Sequence, residues 1–208
     1  MKTILILILF VGNITLMCKS DVPINKKITK NNISKSKTAS VTEKKDAVQS
    51  SNYDDLFKLN SDICLTTTEI AKATKLPESA IQKKEIKGSK TCAYTIKLPN
   101  GETMDYRFFV AKSDLANVKK EIKSFLKSKK NGEFKIMKTN IDLSETGDCY
   151  LTQINRAGRL NVLNPNYPNI IYSQWSLIAP YKLNQKQKEI RISYAKNILN
   201  FLINKYRK

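Results

Sequence analysis

Two runs of alternating apolar and polar residues occupy the middle of the chain. Cys92, Tyr94, Ile96 and Leu98 alternate with Ala93, Thr95 and Lys97, and Met104, Tyr106, Phe108 and Val110 alternate with Asp105, Arg107 and Phe109. A period of two puts each set on its own face of a strand. Pro99-Asn100-Gly101 separates the runs. Asn and Gly tolerate the positive φ that tight hairpin turns require, so the pattern predicts a β-hairpin.

Helical spacing flanks the hairpin. Thr66-x-x-Glu69 stands directly before Ile70-Ala71-Lys72-Ala73, a capping-box pattern that predicts a helix over about 67–75, stopped at Leu76-Pro77. Leu115, Val118, Ile122, Phe125 and Leu126 follow Ser113-Asp114 and precede Asn131-Gly132, which predicts a second helix with a left-handed stop. Short strands are predicted at 134–137, 149–154, 160–163 and 170–177. A closing helix begins near Gln185, with Ile190, Tyr194, Ala195, Ile198, Phe201 and Leu202 as its apolar set. Hairpins require antiparallel pairing and amphipathic helices require a sheet to cover. The expected fold class is therefore α+β, an antiparallel sheet of five to six strands under two or three helices in two layers.

Before this domain the pattern is different. Met1-Lys2 leads into the apolar run Ile4 to Val11, and Ile14 to Cys18 is again mostly apolar. This is the layout of a secretory signal, shorter than the ~20 residues of a membrane span. Residues 1–20 are read as that signal, with two fates open. Thr15-Leu16-Met17-Cys18 looks like a degraded lipobox, with Thr15 and Met17 where a Leu and a small residue are usual, and lipidation at Cys18 is the favoured fate. Cleavage after Ser20 is the rival. Residues 21–56 lack apolar periodicity and are rich in Lys, Ser, Asn and Thr. Such a segment cannot bury enough apolar surface to offset the cost of ordering, so it reads as a disordered basic linker. The globular domain is expected over 57–208.

Composition narrows the chemistry. The 208 residues hold 37 Lys and Arg against 18 Asp and Glu, a formal net charge of +19, and no histidine. The charge biases the protein toward anionic partners. The absence of histidine removes Ser-His-Asp and Cys-His catalysis and mixed Cys/His zinc sites. Only 6 glycines are present, with no phosphate-cradling loop among them, and no cofactor is expected. Whichever fate Cys18 meets, Cys64, Cys92 and Cys149 remain, far apart and without a C-x-x-C pair, so no metal site is expected. In an oxidising compartment one disulfide is expected, with Cys64–Cys92 favoured over Cys92–Cys149 and Cys149 left as a buried thiol.

The stretch Asp62-Ile63-Cys64-Leu65-Thr66-Thr67-Thr68-Glu69-Ile70-Ala71, followed by Cys92-Ala93-Tyr94, resembles small bacterial cell-envelope lipoproteins of uncharacterised function with a PsbP-like α+β domain. The likeness covers about residues 60–130. It implies an envelope binding or accessory domain and carries over no functional residue.

Three groups of side chains are candidates for function. Lys119, Lys123 and Lys127 on the second helix, with Lys188, Arg191 and Lys196 on the last, would form one cationic surface if the two helices lie side by side; a solvated helix face is the plainer reading. Asn166 and Tyr167 in a Pro-rich loop, with Tyr172 and Trp175 after it, form a recognition loop, unless Tyr167 and Trp175 close the edge of the core. Glu102 with Asp105, and Asp142, Glu145 and Asp148, are carboxylates at turns, read as solvated rather than paired for hydrolysis. The expected protein is non-catalytic and exported, periplasmic or attached to the envelope, otherwise secreted. Its expected partner is a protein or an anionic envelope component, with the membrane reached through a lipid anchor; nucleic acid is disfavoured because few aromatics interleave with the lysines. The alternatives are a secreted polyanion or nucleic-acid binder, a toxin-immunity-type protein and a His-free secreted hydrolase.

Overall fold

Seven strands pair in the order β1-β2-β3-β7-β6-β5-β4, every pair antiparallel. They are β1 (Ile81–Lys84), β2 (Cys92–Lys97), β3 (Thr103–Ala111), β4 (Thr139–Leu143), β5 (Tyr150–Ile154), β6 (Arg159–Leu163) and β7 (Ile170–Trp175). Among the described residues four α-helices accompany them: α1 (Asp54–Phe57), α2 (Thr67–Thr74), α3 (Leu115–Lys130) and α4 (Gln185–Tyr206). This computed structural model describes residues 51–133, 139–154, 157–176 and 183–208, all within the compact unit Asp46–Lys208. The signal, most of the linker and the strand expected at 134–137 lie outside the described residues.

The α+β class is the one the sequence predicts, with one strand more than the upper expectation. The hairpin forms where the alternation places it, pairing Tyr94 with Tyr106 and Ile96 with Met104. Gly101 adopts the left-handed φ of +82° that its turn needs. The capping box of α2 is complete: Thr66 Oγ1 accepts from the Glu69 amide at 3.1 Å, and the Thr66 amide donates to Glu69 Oε2 at 2.8 Å. Asp114 caps α3, its carboxylate accepting from the Asn117 amide at 2.8 Å. A second capping box, Asn184 with Gln187, opens α4.

Register decides which side chains share a face. Tyr94, Tyr106, Phe108, Leu151, Val162, Ile171 and Trp175 point to one side, where α1, α2 and α4 close the main core with Leu56, Ile70, Ala195, Ile198 and Leu202. Among the described residues only α3 packs on the other face, over part of its width. There Val118, Ile122 and Phe125 of α3 pack on Ile141, Leu163, Tyr150 and Ile170. The expected two layers thus gain a partial third, and α3 and α4 lie across the sheet from each other rather than side by side.

The ordered domain also begins earlier than expected. Tyr53 and Leu56, assigned to the linker by composition, are fully buried. Tyr53 donates its amide to the Tyr167 hydroxyl at 2.7 Å and its own hydroxyl to Asp148 Oδ1 at 2.8 Å. Asn52 and Lys208 exchange backbone hydrogen bonds at 3.0 and 3.2 Å, tying the start of the described chain to its end.

Cys64 and Cys92 are joined, S–S 2.13 Å and Cα–Cα 5.1 Å. The bridge fixes the residue two before the α2 cap to the first residue of β2. Cys149 is free and fully buried, and burial pushes its thiol up to about 12. Thiol reagents added to the native domain are expected to find no target, and to label Cys149 once the chain is denatured without reductant. Rapid labelling of the native protein would contradict the buried position.

Candidate functional site

The sheet separates two populations of cations. On the α4 side five are engaged by acids: Arg191 with Glu102 at 2.8 Å, Lys196 with Asp142 at 2.6 Å, Lys205 with Glu69 at 2.8 Å, Lys208 with Asp55 at 2.5 Å and Arg207 with Asp148 at 3.7 Å. The single cationic surface anticipated from α3 and α4 is therefore corrected on two counts. Its members stand on opposite sides of the sheet, and Arg191 is not at the surface at all. That side chain is 1% exposed, and its guanidinium donates to Glu102 Oε2 and to the carbonyl oxygens of Gln187 and Thr103. A charge so deep in a fold needs partners on every side, and the carboxylate after the hairpin turn supplies one.

On α3 itself the outward-facing lysines, Lys119, Lys120, Lys123, Lys127 and Lys130, are exposed, and none forms an ion pair with a described residue. At 100° per residue they share one arc of about 100° on the helix. Leu115 and Leu126 border that arc and are themselves exposed. Lys129, also exposed, reaches to the edge strand β4 instead, donating to the Ile141 carbonyl at 2.6 Å and approaching Asp142 at 3.3 Å. The one acid in the body of α3, Glu121, also faces inward, beside Arg159 and Thr152, and burial raises its carboxyl above the ordinary range. The outer face of α3 is thus a lysine stripe edged by leucine.

Beside α3 the part of the same sheet face that no described helix covers holds a cleft of about 570 Å³, lined among others by Lys84, Ala93, Asp105, Arg107 and Gln174. One register row crosses it: Lys84 opposite Ala93, Ala93 opposite Arg107, Arg107 opposite Gln174, Gln174 opposite Arg159. Arg107 donates to Gln174 Oε1 at 2.7 Å. Asp105 Oδ1 accepts from Lys84 Nζ at 2.9 Å and Thr95 Oγ1 at 2.7 Å, and these bonds hold its carboxyl below the usual range. Arg159 leans away from the cleft, its guanidinium carbon 4.7 Å from the centre of the Tyr172 ring. Phe109 packs on that ring with centroids 5.2 Å apart.

The anticipated recognition loop is divided by the fold. Trp175 is 1% exposed in the main core. Tyr167 stacks on Phe57 at 4.9 Å and accepts from the Tyr53 amide, so it seats the start of the domain. Both therefore pack at the edge of the core. Asn166 is exposed beside them, and Tyr172 stands on the opposite face with Arg159. The carboxylates are equally dispersed. Glu102, Asp105, Asp142 and Asp148 each contact a cation, and each titrates below its ordinary value. A general acid needs the opposite shift. Asp62, Cys64 and Cys92 gather within 4.8 Å, but both sulfurs are spent in the disulfide, which leaves no thiolate to ligate a metal.

The fold and charge distribution define a disulfide-stapled α+β domain whose α3 helix carries an exposed lysine stripe without ion pairs among the described residues. No known family, curated protein or solved structure matches the chain.

Proposed function

We propose that this chain is a non-catalytic, exported cell-envelope protein, whose domain docks on an anionic component of the envelope through the α3 side of the sheet. The observation that carries this reading is the Cys64–Cys92 bridge behind a signal-type N-terminus. Disulfides persist in exported proteins and are rare where the cytosol keeps thiols reduced. The unpaired lysine stripe supports an anionic partner, because charges already bound to acids have little left to offer one. The basic linker and a lipid on Cys18 would hold the domain close to its membrane. A partner protein with an acidic face would use the same surface.

The intact mass of the mature protein from its own host tests the export reading. The expected chain lacks the apolar N-terminal segment, carries diacylglycerol on Cys18, and falls short of the fully reduced mass by the two hydrogens of one disulfide. A lipid-free chain beginning near Asp21 would keep export and remove the anchor. A chain that retains Met1 with every thiol free would overturn the reading.

A further inference from the structure

We infer that the cleft on the sheet face beside α3, where no described helix lies, is a binding site for a small oxyanion-bearing ligand, with Arg107 as its anchor. This rests on the anionic-partner reading above and assigns it a second site, an open cleft distinct from the α3 stripe. Three features carry it. The first is depth. Along the row Lys84–Ala93–Arg107–Gln174, the short side chain of Ala93 stands between two long cationic ones, which opens a depression in a sheet face that no described helix covers. Its volume, about 570 Å³, falls in the range of sites for small molecules.

The second feature is the state of Arg107. It is exposed, and its recorded side-chain partner is the neutral Gln174, with no acid of the described residues paired to it. A guanidinium carries five donors in a fixed fork that matches carboxylate and phosphate, so most of its donors remain for a ligand. Gln174 takes one Nη2 hydrogen and also accepts from the Tyr172 hydroxyl at 3.4 Å, which orients the fork across the strands.

The third feature is Asp105, two residues before Arg107 on the same strand face and so about 7 Å away. Its Oδ1 accepts from Lys84 and Thr95, and the exposed carboxylate offers a second acceptor oxygen to the cleft. The cleft thus presents a donor fork and an acceptor at fixed separation. A ligand with an oxyanion at one end and a hydroxyl or ammonium group at the other satisfies both. Sugar acids and polyol phosphates have that chemistry.

Amide NMR titrations of the folded domain with glycerol phosphate and with galacturonate test the site and separate phosphate from carboxylate recognition. Shifts are expected at Ala93, Asp105, Arg107 and Gln174. Loss of a charge-assisted bond predicts affinity lower by about tenfold to a hundredfold in Arg107→Gln. Ala93→Leu, which fills the depression without changing charge, is expected to abolish the shifts. Arg107→Gln, a surface change, keeps the test decisive should Ala93→Leu not fold. Lys119→Gln/Lys123→Gln/Lys127→Gln is expected to leave the titration intact, and its vesicle binding reports separately on the anionic-surface reading. Shifts confined to α3, equal binding by Arg107→Gln and the parent, or no response to either probe at millimolar concentration would each overturn the assignment.

Discussion

The double variant Cys64→Ala/Cys92→Ala is expected to melt about 7–14 °C below the parent domain. The two cysteines lie 28 residues apart, and closing a loop of that length removes about 3.5 kcal/mol of chain entropy from the unfolded state. The segment between them contains α2, a turn of 3-10 helix, β1 and the approach to β2. Among these, β1 is an edge strand, paired on one side only and burying one apolar side chain, Ile81. Alanine is the appropriate replacement because Cys92 is buried, and a serine hydroxyl there would add the cost of an unpaired polar group. Reductant should lower the parent's midpoint by the same amount and leave the double variant's unchanged. A parent whose midpoint is indifferent to reductant would show that the bridge does not stabilise the domain, and would remove the main support for an oxidising compartment.

Much of the fold is legible in local patterns, and the exceptions share causes. The hairpin, the Thr66 capping box and the α3 stripe follow from spacing alone, because each rests on neighbours a few residues apart. The strands β1 and β4 escape the same reading because they are the two edges of the sheet. Ile81-Gln82-Lys83-Lys84 buries one side chain and Thr139-Asn140-Ile141-Asp142-Leu143 buries one, so neither shows alternation. Lysines on an outer strand also discourage pairing with a second chain, which is a reason for them to be there. The Asn184-x-x-Gln187 box obeys the rule that reveals α2 and was open to it. Tyr53 offered another sign, as the first aromatic residue after the N-terminal segment, and it proves to be core. The site was less legible. Which face α3 covers depends on sheet register, and the burial of Arg191 depends on Glu102, 89 residues away in sequence. Periodicity marks a residue as outward or inward on its own helix and does not say what waits on the other side.

Charge sorting by the sheet leads to the second large effect. Substituting Lys119, Lys123 and Lys127 by glutamine is expected to weaken binding to phosphatidylglycerol vesicles by about a hundredfold, since each basic residue near an anionic leaflet contributes ~1 kcal/mol. The stripe suits such a surface for two reasons. Its lysines form no ion pairs with described residues, so approach to the leaflet breaks none. Leu115 and Leu126, both exposed, lie at its border, where apolar side chains can enter the headgroup region. The matching pair Lys186→Gln/Lys188→Gln removes charge at the start of α4, across the sheet from α3. Sheet and helix layers pack ~10 Å apart, and the Debye length at physiological salt is ~8 Å, so this pair should change vesicle affinity by no more than about twofold. Co-sedimentation at rising salt checks both. The parent should release progressively, and the α3 variant should show a shallower salt dependence because fewer cations take part. Equal losses in the two variants would mean that net charge rather than the α3 face governs binding, and parent-like binding by the α3 variant would place the anionic contact elsewhere on the domain.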